Sequence, residues 1–230
     1  MIIYRNNTAL INELSGFIAK ASNEKLNQKL PFSFFLAGGN SPKQLYNNLP
    51  DYIKSWDHVH LFLGDERYLP ETSSESNRKM IHEFLLNRIT IPQNNIHFPI
   101  TTVEPFLAAE KYDLELKTYL SANKSFDLIL IGIGSDSHML SLFPFTKALD
   151  SDALYSDNLI SHSNAWRLTA TFNLLSRVKQ ICVLVTDSNK QKAIDSIFSY
   201  PDDIKKYPAQ FLKNLKNVTW FISNEINLKS

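Results

Sequence analysis

An aspartate and a histidine two residues apart, Asp136 and His138, stand just after an apolar run that breaks on glycine. The stretch 126–144 reads FDLILIGIGSDSHMLSLFP, and only Asp127 interrupts its apolar start before Gly132 and Gly134. A carboxylate can fix the tautomer of a nearby imidazole, and an imidazole moves protons near neutral pH. A second charged cluster, Asp65-Glu66-Arg67, follows another apolar run. Arg67 carries the planar fork that grips a phosphate or carboxylate through two bonds, and Asp65 or Glu66 could bind sugar hydroxyls or orient that arginine. A third stretch is Gly38-Gly39-Asn40-Ser41-Pro42. Its glycines let backbone approach a ligand, Ser41 suits a helix cap, and Pro42 suits the first helical position. Free amides at a helix start attract anions. Arg167 and Lys190 are two further cations placed to reach an anion. Each feature alone has a bland reading: a strand-end turn, a surface ion cluster, a capped connection, a solvated cation.

These residues need a scaffold that collects loops at one edge. Short apolar runs at 32–37, 59–63, 126–131, 181–185 and 218–222 each end in a turn and have the length of buried strands. Amphipathic stretches at 8–30, 42–48, 77–88 and 105–121 alternate with them. The alternation predicts an α/β fold: one domain over residues 1–230, with a mostly parallel, Rossmann-like sheet and helices on both faces. In such sheets ligands bind outside the carboxyl ends of the strands, where all the loops above fall. The polar segment 146–164 reads as a flap or irregular excursion.

Composition narrows the function. The chain has 230 residues, 43% of them hydrophobic, with 24 basic against 23 acidic side chains. No segment carries the basic excess of a nucleic-acid footprint, and no apolar run approaches membrane-spanning length. The start, MIIYRNNTAL, lacks the pattern of a secretory signal. A cytoplasmic protein without nucleic-acid or membrane partners is expected. The lone cysteine, Cys182, sits in the apolar run ICVLV and reads as a core residue. Histidines at 58, 60, 82, 97, 138 and 162 are scattered, so no metal site is expected. Gly132-Ile133-Gly134 lacks the third glycine of a dinucleotide fingerprint, and there is no GxSxG nucleophile elbow. No cofactor is expected.

Taken together, AGGNSP at 37–42, GDERYLP at 64–70, SN at 76–77, GIGSDSHMLSLFP at 132–144, RLT at 167–169, Lys190 and YPAQ at 207–210 form an ordered set. In that order the chain resembles the 6-phosphogluconolactonase family, within the superfamily that includes glucosamine-6-phosphate deaminase. The continuation Leu140-Ser141-Leu142-Phe143-Pro144 and the Arg67 after Asp65-Glu66 resemble the lactonase branch rather than the deaminase branch. The chain departs from the family pattern at several points. Asn40-Ser41 stands where Ser-Thr is usual, and Ser137 replaces the glycine between Asp136 and His138. A glycine near Asp187 is missing, and Asn224 replaces an aspartate. If the position of Ser137 requires positive φ, serine there is strained.

The resemblance implies hydrolysis of 6-phospho-D-glucono-1,5-lactone in the oxidative pentose phosphate pathway. His138 would be the general base, oriented by Asp136. Arg67 or the loop amides around 132–137 would stabilise the oxyanion. Gly38, Gly39, Asn40 and Ser41, with Arg167 and Lys190, would hold the phosphate, and Asp65 and Glu66 would contribute to substrate binding. The implied partner is a small-molecule sugar phosphate, the implied assembly a monomer or small homo-oligomer. Two other readings stay open: a sugar-phosphate isomerase or deaminase of the same superfamily, and a non-catalytic sugar-phosphate sensor.

Overall fold

A computed structural model describes residues 1–161 and 163–228; His162, one of the scattered histidines, lies outside the described residues. The chain runs β1 (Ile2–Arg5), α1 (Asn7–Asn27), β2 (Phe32–Leu36), α2 (Lys43–Tyr52), β3 (Val59–Leu63), β4 (Asp65–Arg67), α3 (Asn77–Phe84), β5 (Ile96–His97), α4 (Pro105–Asn123) and β6 (Phe126–Gly132). It continues with β7 (Tyr155–Ile160), β8 (Ala165–Ala170), α5 (Phe172–Leu175), β9 (Val178–Val185), α6 (Gln191–Ser199) and β10 (Val218–Ser223).

Seven strands form one sheet in the order β1-β10-β9-β6-β2-β3-β5, and every pairing in it is parallel. The expected α/β architecture is present. Successive residues on a strand point to opposite faces. On β2, β6 and β9, therefore, Phe34, Leu128 and Leu184 pack to one side and Phe35, Ile129 and Val183 to the other. The first side is covered by Leu14 and Ile18 of α1, Leu45 and Leu49 of α2, and Ile81 of α3. The second is covered by Tyr112 and Leu116 of α4, Leu175 of α5 and Ile194 of α6. Burial of both faces explains why these strands read as near-continuous apolar runs. Cys182 is fully buried among them, and burial pushes its thiol up, so it is a packing residue.

From β2 the chain steps outward to β3 and β5, and from β6 it steps the other way to β9 and β10. The reversal lies between β2 and β6, so the loops leaving those two strands flank the crevice where open sheets bind ligands.

The excursion at 146–164 folds differently from the expected flap. It contains a 3₁₀ turn, Lys147–Asp150, and then β7. This strand joins a second, antiparallel sheet in the order β4-β8-β7. Its polar residues are compatible with a strand because Tyr155, Asn158 and Ile160 turn inward while the others do not. Tyr155 packs edge-on against Tyr112 at 4.7 Å, and the Asn158 amide donates to the Ser141 carbonyl at 2.8 Å.

His60 of β3 and His97 of β5 meet at the sheet's edge, with Nδ1 and Nε2 3.0 Å apart. His97 Nδ1 lies 2.6 Å from Glu115. Burial, with His97 and His58 adding to it, lowers the pKa of His60 to about 4. In the unfolded chain the same imidazole protonates near pH 6.5. The unfolded state thus takes up the proton first on acidification. Stability is intact above pH 6.5 and falls progressively towards pH 4. Urea midpoints should decline across that window, and less steeply in His60→Asn; identical slopes would remove His60 from the account.

Candidate active site

A cavity of about 500 Å³ opens at the carboxyl ends of β2, β6 and β9. One wall is the turn between β6 and β7. Ile133 bridges Met139, Gly134 N–H donates to the His138 carbonyl at 2.8 Å, and Ser137 N–H donates to the Gly134 carbonyl at 3.1 Å. A three-residue turn of this kind closes with one residue in the left-handed region. Here that residue is Ser137, at φ 67°. The positive φ considered from the sequence is therefore present.

The turn delivers His138 into the cavity. Its Nδ1 lies 2.5 Å from Asp136 Oδ1, and its backbone N–H donates to the same oxygen at 3.2 Å. Partial burial acts to raise the Asp136 carboxyl. The hydrogen bond and charge of His138 outweigh that, so the pKa ends below its ordinary value. An ionised Asp136 assigns the proton to Nδ1 and leaves Nε2 as the acceptor nitrogen, with no hydrogen-bond partner among the described residues. Phe143 stacks on the ring at 4.0 Å between centroids. A methyl group on Gly134 would overlap the imidazole, so glycine is required there by close approach.

Opposite lies the loop after β2. Gly38, Gly39, Asn40 and Ser41 all line the cavity. Within the described residues their backbone N–H groups donate to no protein acceptor. Ser41 does not cap the helix as expected. The N-cap of α2 is Pro42, already helical at φ −83°, and no side chain bonds the helix start. The physical reason is that Lys43 N–H closes a turn onto the Asn40 carbonyl, which shifts the helix one residue along and leaves Ser41 in the loop.

The antiparallel sheet supplies the cations. Arg67 of β4 and Arg167 of β8 are directly paired across the strands, and both line the cavity. Neither makes an ion pair within 4 Å among the described residues; each guanidinium donates to a backbone carbonyl, of Glu75 and Trp166 respectively. Burial and the neighbouring Arg67 lower the pKa of Arg167. Like charges set opposite one another are unfavourable, and a bound anion relieves them. Lys190 reaches the same cavity from the 3₁₀ turn Ser188–Lys190.

Asp65 also lines the cavity. Burial raises its carboxyl; the hydroxyl of Ser141, donating at 2.7 Å, and the charge of Arg67 act against this. Glu66 does not reach the cavity. It is 2% exposed and turned to the other side of β4. Its carboxylate accepts from the amides of Arg67, Asn77 and Arg78 at 2.7–2.8 Å and from the Ser76 hydroxyl at 3.2 Å. It therefore closes the N-terminus of α3 rather than meeting a ligand.

Two residues without an expected role support the site. Asn77 lines the cavity, holds the Asp65 carbonyl at 2.9 Å and fills the space a side chain on Gly38 would need. Ser141 links Asp65 to β8, its N–H donating to the Thr169 hydroxyl at 3.1 Å. Both lie in motifs legible in the sequence, SN at 76–77 and LSLFP at 140–144, but neither residue type announces its partner. Among the described residues no group of three or more His, Cys, Asp or Glu could hold a metal, and no helix is long and apolar enough to cross a membrane.

Fold and cleft define an α/β protein whose parallel sheet ends in a polar, cation-rich site with a carboxylate-oriented histidine. The chain belongs to the family described as glucosamine-6-phosphate isomerases/6-phosphogluconolactonase, whose model matches residues 5–220. A 6-phosphogluconolactonase of Synechocystis is 36% identical over 198 residues, covering 83% of this chain and 81% of that protein. One from Nostoc is 31% identical, covering 94% and 91%. The crystal structure of 6-phosphogluconolactonase from Thermotoga maritima superposes with a TM-score of 0.85 at 28% identity, over 97% of this chain and 99% of that one.

Proposed function

We propose that this protein, acting in the cytoplasm, hydrolyses 6-phospho-D-glucono-1,5-lactone to 6-phosphogluconate in the oxidative pentose phosphate pathway. The observation that carries the reading is the His138–Asp136 pair facing one cavity with Arg67, Arg167 and Lys190. Family membership and the names of the relatives support it.

A lactone is an activated ester, so water can open it without a covalent enzyme intermediate. His138 Nε2 takes a proton from water as its oxygen bonds to C1 of the lactone. Asp136 stabilises the resulting imidazolium. The tetrahedral intermediate collapses as the C1–ring-oxygen bond breaks, and His138 returns the proton to the leaving ring oxygen. The developing oxyanion is met by Arg67 or by amides of the 132–137 turn. The 6-phosphate rests on the unpartnered amides of Gly38–Ser41, with Arg167 and Lys190 neutralising its charge. Anchoring the phosphate places C1 beside His138 and makes the attack effectively intramolecular.

The test is coupled hydrolysis. Glucose-6-phosphate dehydrogenase generates the lactone in situ, and 6-phosphogluconate dehydrogenase reports the product against the spontaneous rate. Enzyme-dependent acceleration is expected. Its absence, with glucosamine 6-phosphate or a pentose phosphate consumed instead, would replace the lactonase by another reaction of the family. Binding of 6-phosphogluconate without any turnover would make the protein a sensor. In the same assay Arg167→Ala should raise KM roughly 10–100-fold, the magnitude of a lost charge-assisted contact, with a smaller change in kcat. An unchanged KM would place the phosphate elsewhere.

A further inference from the structure

His138 takes its direction from the residue before it, and that residue sits in a backbone region costly for a side chain. Ser137, at φ 67°, is 2% exposed. Its hydroxyl meets the hydroxyl of Ser196 in α6, and Ser196 in turn donates to the Ala193 carbonyl at 2.8 Å. The order of donors is thereby set: Ser137 donates to Ser196, and Ser196 to the helix backbone. The carbonyl of Ser137 accepts from Ala209 N–H at 3.0 Å. The buried side chain of Gln210 completes the support. It donates to the Ser196 and Pro201 carbonyls at 2.8 and 3.1 Å and accepts from Asp203 N–H at 2.7 Å.

We infer that Ser196 is a positioning residue for His138, holding the strained Ser137 turn against α6 through the paired hydroxyls. The inference rests on His138 being the base of the proposed hydrolysis. A serine in the left-handed region persists only when its surroundings over-determine it. The partner hydroxyl does this twice, by fixing the side-chain rotamer and by satisfying a buried polar group. Without it the Ser137 hydroxyl is buried and unpaired, and the turn relaxes towards conformations that carry the imidazole away from C1. Displacement of a catalytic group by about 1 Å can cost about 100-fold in rate.

The experiment is a double-mutant cycle of Ser196→Ala and Ser137→Gly, read by steady-state kinetics and by the imidazole NMR signals of His138. Ser196→Ala alone should lower kcat by roughly 10–100-fold, with KM for the lactone within about twofold. In the Ser137→Gly background the same substitution should cost far less, because the hydroxyl that needed a partner is gone. The His138 signals should move in Ser196→Ala and regain their position in the double variant relative to Ser137→Gly. Wild-type kcat in a folded Ser196→Ala protein overturns the inference. So does an equal loss in both backgrounds, which would mean that Ser196 acts other than through Ser137. If the wild-type protein lacks lactonase activity, the proposed function fails separately. The NMR cycle still decides whether the hydroxyl pair orients the ring, and unmoved signals reject it.

Discussion

His138→Ala is expected to lower kcat by about 10²–10⁴-fold, the usual contribution of one general acid–base group, while 6-phosphogluconate still raises the melting temperature. The expectation follows from a division of labour in the cavity. The imidazole hangs from the turn after β6, whereas the free amides of residues 38–41 and the paired arginines belong to the loop after β2 and to the antiparallel sheet. Removing the ring leaves every cation and amide in place. Phe143, which stacks on the ring, loses a neighbour at a partly exposed position, so the fold should be little affected. Kinetics and ligand-dependent melting on the same preparation check both halves. Retained kcat would remove His138 from its role; lost ligand stabilisation would mean that the ring also holds the ground state.

Glu66→Ala should be the most damaging substitution to stability near the site, by about 2–4 kcal/mol, since each buried donor left without its acceptor costs about 1–3 kcal/mol and burial, which raises the Glu66 carboxyl, already penalises its charge. Three backbone amides and the Ser76 hydroxyl, two of these four donors in buried bonds and two in part-buried ones, would be left without their acceptor. Two of those amides are the first two of α3, so the helix start frays. Asn77 begins that helix, braces the Asp65 carbonyl and packs under Gly38. Activity should fall with stability for that reason, although Glu66 does not line the cavity. Glu66→Gln, which keeps one acceptor oxygen, should lose less. Urea unfolding of the three proteins measures the ordering, and an Ala variant within about 1 kcal/mol of wild type contradicts it.

Glu66 also shows how much of the site depends on pairing between distant segments. The triplet Asp65-Glu66-Arg67 is legible as unusual, but read as a loop it leaves all three charges free to reach a ligand. Once the triplet is a strand, alternation sends the first and third residues to the cavity and the second away from it. The short antiparallel sheet was opaque because its strands carry Arg, Asp, Asn and Thr and are defined by pairing between distant segments, not by local apolar runs. The N-terminal strand β1 gives only a brief apolar run for a related reason: it is an edge strand, mostly exposed, and short. The central strands are legible because burial on both faces makes them almost wholly apolar, Ser33 and Asp127 being admitted as a mutually hydrogen-bonded pair. Asp136 and His138 were legible because two chemically capable residues followed such a strand directly. Their support from Ser196 and Gln210, some 60 to 70 positions later, leaves no local trace.

The arginine pair has a consequence for motion. Arg67 and Arg167 occupy neighbouring strands joined by backbone hydrogen bonds, so an anion held between them bridges β4 to β8 a second time. Any fluctuation that peels β8 from β4 must then first release the ligand. The small sheet becomes a region whose local opening is linked to occupancy of the cavity. Amide hydrogens of residues 65–67 and 165–170 should exchange more slowly when 6-phosphogluconate is bound, while those deep in β6 and β9, which open only with the whole fold, should gain no more than the global increase in stability. The least apolar part of the molecule would thus be the part that most strongly records whether substrate is present.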